Sequence, residues 1–206
     1  MEERNTSEII DFGKNQKNDR FIKRDVLPYL RDLAVVLSVI ILVFLLIFRV
    51  VIIEGSSMNS TLVDGDYLLL VNSTFAGEPE IGDIIVASKE SYDDGAPIVK
   101  RVIATAGQEV DIDYEYGIVY VNGVALDEPY ISTPTVNFEG VKFPLIVDEG
   151  CVFVMGDNRL YSKDSRDPEI GLIDCRQILG KAVFVFFPGN DPYSGKKEFS
   201  RIGGLD

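Results

Sequence analysis

The sequence predicts a mainly β fold, in which a single N-terminal transmembrane helix precedes an all-β domain. The helix is indicated by residues 33–48, which carry no charge and only one polar side chain, Ser38. The domain is indicated by later apolar runs that are short, rich in Val, Ile, Tyr and Phe, and separated by Gly, Asn, Asp and Pro. These runs predict strands over residues 67–71, 84–87, 98–105, 109–114, 151–155 and 182–187.

The predicted helix, residues 25–50, is long enough to cross a membrane, because a rise of 1.5 Å per residue carries it across the roughly 30 Å hydrocarbon core. A cleaved signal peptide is the alternative, since it too has an apolar core behind a basic segment. The apolar run here is longer than that of an ordinary signal peptide, however, and no small-x-small site follows it. These two features favour an uncleaved anchor.

The distribution of charge predicts how the anchor is oriented. Cations are concentrated on the N-terminal side of the helix, which favours a cytoplasmic N-terminus. They are Lys14, Lys17, Arg20, Lys23, Arg24 and Arg31. We therefore expect a largely disordered cytoplasmic tail over residues 1–24 and an extracytoplasmic β domain over residues 51–206. The net charge of −13 lies almost wholly in that domain, so a nucleic-acid partner is not expected.

The chain has no histidine and two cysteines, Cys151 and Cys175. Without histidine and without a Cys-x-x-Cys pair, a zinc or iron site has almost no ligands, so no cofactor is expected. On the predicted topology both cysteines lie outside the membrane, where oxidation can occur. Two buried thiols are slightly favoured, and a disulfide stays open because the sequence does not give the Cα separation.

The absence of histidine also decides which base could activate a serine nucleophile. Lysine is the candidate, because an amine in an apolar environment has a lowered pKa and can accept a hydroxyl proton. Strand alternation places Lys100 on one face with Ile98 and Val102, which predicts such an environment. The alternative is that Lys100 extends to a sheet edge and keeps its amine in water. Ser57 and Lys100 form a candidate catalytic dyad.

A hairpin is predicted where Asn122 and Gly123 stand between two apolar stretches. This dipeptide suits a two-residue turn with positive φ. The hairpin belongs to a predicted small β insertion over about residues 107–148.

Four blocks in a fixed order carry more information than either dyad residue alone. They begin at Gly55, Gly82, Lys100 and Met155, and read GSSMNSTL, GDIIV, KRVI and MGDNR, the last followed by Ser162, Asp164, Ser165 and Arg166. Together they resemble the type I signal peptidases of bacteria, and in particular Gram-positive members. The resemblance extends from the transmembrane helix to about residue 187.

The resemblance implies a membrane-bound serine endopeptidase with a β-barrel-like catalytic domain, which removes signal peptides by cutting after small-x-small. It implies that Ser57 is the nucleophile, that Lys100 is the general base, and that Ser162 orients the lysine by a hydrogen bond. The backbone N–H of Ser57 is the expected oxyanion donor, because Gly55 stands where some members have a hydroxyl. Four charges are expected to hold the structure without reacting: Asp157, Arg159, Asp164 and Arg166.

The implied partners are secretory preproteins and membrane lipid, in the neighbourhood of the protein export machinery. Substrate contacts are expected from four apolar residues: Ile53, Met58, Leu62 and Val99. For Leu62 a place in the core is the stronger expectation.

One departure from the family pattern keeps a second function open. Ser60 stands where the family has proline, a residue that stiffens the backbone and takes no part in the chemistry. The alternative is an inactive membrane-tethered β domain that binds partners. The related self-cleaving repressors are disfavoured, because they join the protease core to a DNA-binding domain. Because Ser57, Lys100 and Ser162 are all present, the enzyme is favoured.

Overall fold

The computed structural model describes residues 26–205, which divide into two compact units. The first unit ends at Leu46 and contains almost all of helix α1, Leu27–Ile47. The second begins at Ile47 and contains the β domain. The predicted tail over residues 1–24 lies outside the described residues.

Helix α1 has the properties of a membrane-spanning segment. Its 21 residues rise about 30 Å, and none of them is buried. The hydroxyl group of Ser38 donates to the carbonyl of Ala34 at 2.7 Å and so has a partner within the helix. The helix is shorter than predicted, because the residues from Phe48 onwards pair as a strand.

The described part of the β domain contains twelve strands and a short helix, α2, at Ser73–Ala76. The strands are β1 Phe48–Ile52, β2 Tyr67–Asn72, β3 Ile84–Ser88, β4 Pro97–Thr105, β5 Glu109–Asp113, β6 Ile118–Val121, β7 Val124–Ala125, β8 Leu145–Ile146, β9 Cys151–Met155, β10 Ile173–Asp174, β11 Ile178–Phe187 and β12 Gly203–Gly204. All six predicted strands are confirmed, with boundaries that shift by a few residues at most.

The larger sheet is antiparallel and runs in the order β1-β2-β11-β3-β4-β9-β10, with β12 beside β11. Among the described residues β1 and β10 stay unpaired on their outer sides, so the sheet does not close into a barrel. Both faces of this sheet are covered at its central strands. In β3, for example, Ile84 and Val86 pack into one apolar cluster and Ile85 and Ala87 into another.

A smaller sheet in the order β7-β6-β5-β8 is formed by residues 109–146. It packs against the larger one through a third apolar cluster, which includes Val110 and Phe153. The predicted hairpin is confirmed, because Asn122 and Gly123 join β6 to β7 with φ values of +51° and +76°.

The cysteines are free thiols in this structure. Cys151 packs with the cluster that contains Phe153, whereas Cys175 packs with the cluster that contains Val152. Cys175 follows β10 as the first residue of a short 3-10 turn, and the two side chains therefore pack in different apolar clusters. The structure therefore has two free thiols, but they are half-buried and not fully buried as expected.

Candidate active site

Ser57 lies on a tight turn that follows β1. Gly55 has a φ of +92°, which glycine adopts without strain, and its N–H donates to Asp64 Oδ1 at 2.8 Å. Beyond Ser57 the N–H of Leu62 donates to the carbonyl of Met58 at 2.8 Å, which closes one helical turn. Ser57 is therefore held between two hydrogen-bonded segments.

The amine of Lys100 reaches this turn from β4. A hydrogen bond of 2.8 Å joins Lys100 Nζ to Ser57 Oγ, and Nζ also lies 3.1 Å from the carbonyl oxygen of Val99. The side chain is 5% exposed, so the alternative of an amine extending into water is wrong. Burial lowers the pKa of the Lys100 amine to about 8, although the Asp164 carboxylate acts in the opposite direction. The neutral form is therefore accessible at mildly alkaline pH.

The segment after β9 is hydrogen-bonded to the turn that carries Ser57, which we call the serine turn. Asn158 donates from its backbone N–H to the carbonyl of Ser57 at 3.0 Å, and from Nδ2 to the carbonyl of Ser56 at 3.0 Å. At Gly156 an added Cβ would lie 2.4 Å from the Ser57 carbonyl oxygen, so only glycine allows this approach. Sequence reasoning missed both roles, although the turn-forming GDN sequence was the signal that marked them.

Ser162 is buried against the same glycine. An added Cβ on Gly156 would lie 2.2 Å from Ser162 Oγ. Within the described part of the chain, Ser162 Oγ has no hydrogen-bond partner. The structure thus brings Ser162 to the serine turn without a hydrogen bond to Lys100, and its orienting role stays a prediction.

Asp157 connects the strand of the lysine to the turn of the serine. It is wholly buried and accepts two hydrogen bonds from Arg101, at 2.9 and 2.7 Å. It also accepts one from Thr61 Oγ1 at 2.5 Å. Arg159, equally buried, pairs with Glu128 at 2.5 Å and so holds the loop that joins β7 to β8 of the smaller sheet. Both charges are paired with neighbouring side chains, and their structural role stays a prediction.

Asp164 and Arg166 form a buried ion pair close enough to Lys100 to affect its charge. Two hydrogen bonds of 2.8 Å join the side chains, and Asp164 also accepts the N–H of Gly156 at 3.0 Å. Glu139 lies 3.2 Å from Arg166 Nη2. Burial raises the pKa of the Glu139 carboxyl to about 7. These charges act on Lys100 through space, with no contact to the reacting atoms.

The site opens into a groove of about 750 Å³. Ile53, Met58 and Val99 line it, and their contact with substrate stays a prediction. Leu62 does not line it: the turn after Met58 directs this side chain inward, and it is wholly buried in the core. Other groove residues were not singled out in the sequence, namely Tyr92, Asp93, Tyr161 and Lys163.

The backbone N–H of Ser57 has no acceptor within residues 26–205. It therefore remains available to a ligand in the groove. A hydroxyl beside a desolvated amine, with a free N–H next to it, can attack a carbonyl carbon and stabilise the resulting oxyanion. This arrangement defines a serine hydrolase chemistry that needs no histidine.

Comparison with known proteins agrees with this chemistry. The family model described as signal peptidase, peptidase S26, matches residues 26–187. The signal peptidase I of Bacillus licheniformis is 39% identical over 77% of this chain and 86% of its own length. Signal peptidase I T of Bacillus subtilis is 38% identical over 86% of this chain and 95% of its own length. A crystal structure of a signal peptidase I from Enterococcus faecalis is 30% identical, with a TM-score of 0.41, over 50% of this chain and 96% of its own. The chain belongs to the signal peptidase family, peptidase S26.

Proposed function

We propose that this chain, a serine protease that removes signal peptides from preproteins, does so with Ser57 as nucleophile and Lys100 as general base. The observation that carries the proposal is the 2.8 Å hydrogen bond between Ser57 Oγ and a buried amine. The two residues are separated by 43 positions and meet only through the fold. The alternative of an inactive binding domain is not favoured, because the groups that the chemistry needs are in contact.

In the first half of the reaction, neutral Lys100 takes the proton of Ser57 Oγ while that oxygen attacks the scissile carbonyl carbon. The oxyanion of the tetrahedral intermediate accepts a hydrogen bond from the Ser57 N–H. The intermediate collapses as the C–N bond breaks, and the Lys100 ammonium gives its proton to the leaving amine. The mature protein departs, and the signal peptide stays on Ser57 as an ester.

In the second half a water molecule replaces the hydroxyl. Neutral Lys100 takes a proton from the water, whose oxygen attacks the ester carbon. The Ser57 oxygen leaves and recovers the proton from Lys100. The signal peptide is released as a carboxylic acid, which gives its remaining proton to solvent and becomes a carboxylate. The same amine serves both halves because it is held beside the serine oxygen in the resting site.

The open backbone beside the dyad suits an extended peptide. β9 pairs with β4 only from Arg101 onwards, so among the described residues no strand pairs with that edge of β4 at residues 97–100. A substrate strand can pair there and place its side chains against Ile53, Met58 and Val99. These walls are apolar, which fits an apolar side chain such as that of alanine at the first and third positions before the cut.

The membrane arrangement follows from α1 and the flanking charges. We propose a single-pass protein with a cytoplasmic N-terminus and an extracytoplasmic catalytic domain, because the cations lie before the helix. From that placement we expect the protein to contact membrane lipid and to work near the protein export machinery. Signal peptides end at the outer membrane surface, where such a domain would meet them.

Mass spectrometry of a secretory preprotein incubated with the full-length protein in detergent tests the proposal. Cleavage after a small-x-small site by the parent, and loss of cleavage in Ser57→Ala and Lys100→Ala, is the expected result. Ser56→Ala is the matched control for the serine, and Lys142→Ala, at an exposed position, is the control for the lysine. Both controls should retain cleavage. Cleavage that survives in Ser57→Ala or Lys100→Ala would contradict the dyad.

A further inference from the structure

The C-terminal segment, residues 188–205, folds back onto the β domain and contacts the serine turn at Thr61. It lies beyond the range matched by the family model. Its strand β12 pairs with β11, and the N–H of Leu205 donates to the carbonyl of Val183 at 3.1 Å. The Leu205 side chain packs on the cluster that contains Ile53 and Met58. The segment is therefore part of the domain that carries the active site.

Arg201 is the residue through which this segment reaches the turn. Its guanidinium donates to both carboxylate oxygens of Asp66, at 3.0 and 2.6 Å. A third hydrogen bond, of 3.1 Å, runs from Nη2 to the carbonyl oxygen of Thr61. Asp66 is wholly buried and the Arg201 side chain is 18% exposed. Such a two-oxygen contact fixes direction as well as distance, because the guanidinium is planar.

Asp66 in turn binds the surrounding backbone by hydrogen bonds. Its carboxylate also accepts the N–H of Val63 and the N–H of Gly189, both at 2.8 Å. Gly189 packs so closely that an added Cβ would lie 2.1 Å from the carbonyl oxygen of Asp64. One buried carboxylate thus joins the end of the serine turn to the start of the C-terminal segment.

Thr61 is consequently held from two directions. Its hydroxyl donates to Asp157, in the block that the family resemblance already marks, while its carbonyl accepts from Arg201. Its N–H donates to the carbonyl of Met58, the residue after the nucleophile, at 2.9 Å. The bond to Asp157 restrains the Thr61 side chain, and the bond from Arg201 restrains its backbone carbonyl. Both bonds are therefore needed to hold this residue in place.

We propose that Arg201 is a positioning residue for the signal peptidase reaction, which holds the turn that carries Ser57 in its reactive position. The inference rests on the proposed function, since it assigns Arg201 to the geometry of that dyad. Displacements of about 1 Å at a reacting atom can cost on the order of a hundredfold in rate. Arg201 acts through Thr61 and Asp66 and does not touch the substrate.

The test compares Arg201→Lys with the parent, as full-length protein in detergent acting on a peptide with a small-x-small site. Lysine keeps the positive charge beside Asp66 but cannot contact both carboxylate oxygens and the Thr61 carbonyl. We expect a kcat about tenfold lower for each serine that a reactive-serine probe titrates. The thermal midpoint should stay close to that of the parent. A role in stability alone would lower the midpoint and leave this normalised kcat unchanged.

A second variant covers the case in which lysine prevents folding. Arg201→Gln combined with Asp66→Asn removes both charges and leaves no buried charge unpaired. We expect the same loss of normalised kcat. The matched control is Arg176→Ala, which removes an exposed Arg–Asp pair with Asp174 and should cleave as the parent does.

The outcomes separate this inference from the proposed function. If the parent and Arg176→Ala cleave, and either Arg201 variant matches the parent in normalised kcat, the positioning role is wrong and the proposed function stands. If the parent leaves the peptide and several preproteins intact, the proposed function fails and the inference fails with it.

Discussion

Replacing Lys100 by methionine should abolish cleavage and at the same time stabilise the folded domain at neutral pH. The lysine side chain is 5% exposed, and burial lowers the pKa of its amine from 10.5 to about 8. Methionine has a similar length and no charge, so it can fill the same space without the desolvation penalty. The prediction follows from the same burial that makes the amine a base.

The magnitude comes from the two pKa values of the Lys100 amine. The difference between 10.5 and about 8 corresponds to ~3 kcal/mol. Below pH 8 the amine is charged in both the folded and the unfolded chain, so the full penalty opposes folding. Loss of the hydrogen bond to Ser57 offsets about 1 kcal/mol of the gain. We therefore expect Lys100→Met to raise the free energy of unfolding by roughly 2 kcal/mol at neutral pH.

The direction in which the free energy of unfolding changes with pH tests this reasoning more sharply than the stability gain at neutral pH. Between pH 8 and 10.5 the unfolded chain holds a proton on Lys100 that the folded chain lacks. In that window the parent gains about 1.4 kcal/mol for each pH unit. Above pH 10.5 the penalty is gone, and the advantage of the methionine variant disappears.

Urea unfolding of the full-length proteins in detergent, at about pH 7 and about pH 10, measures both effects. Lys142→Met is the matched control, because Lys142 is exposed and its replacement should change stability little at either pH. A Lys100→Met variant that is less stable than the parent at neutral pH would refute the reasoning. So would a stability difference that does not change with pH.

The remaining predictions concern activity and packing. The kcat/KM of the parent should rise about tenfold per pH unit up to the pKa of Lys100, near 8, and then level off; a profile that is flat across this range would contradict a lysine base. Glu139 raises the pKa of the Lys100 amine through its charge, so Glu139→Gln should move the acidic limb of that profile to lower pH, by less than about one unit. Movement to higher pH would be evidence against this coupling. Gly156→Ala should destabilise the domain by about 1–3 kcal/mol and suppress labelling of Ser57 by a serine-reactive probe, because the new Cβ would lie 2.2 Å from Ser162 Oγ. Normal labelling together with a parental thermal midpoint would show that the turn can relax.

Local features of the domain were predictable because they depend on neighbouring residues. The alternation around Lys100 placed its side chain on an apolar face, and the structure confirms that it is buried. Asn122 and Gly123 predicted their turn because few residues tolerate positive φ. The end of α1 was less predictable, since an apolar and β-branched segment such as residues 50–53 suits both a membrane helix and a strand.

The sequence by itself determined the anchor helix, the strands, the family and the two residues of the candidate dyad, because periodicity and motif order are written in residues that lie close together in the chain. Only the tertiary structure decided that Ser57 and Lys100 meet at 2.8 Å and that Leu62 belongs to the core. It also decided that Arg201 reaches back to Thr61 across 140 positions. The physical reason is that contacts between distant segments depend on how whole strands pack, which no local pattern encodes.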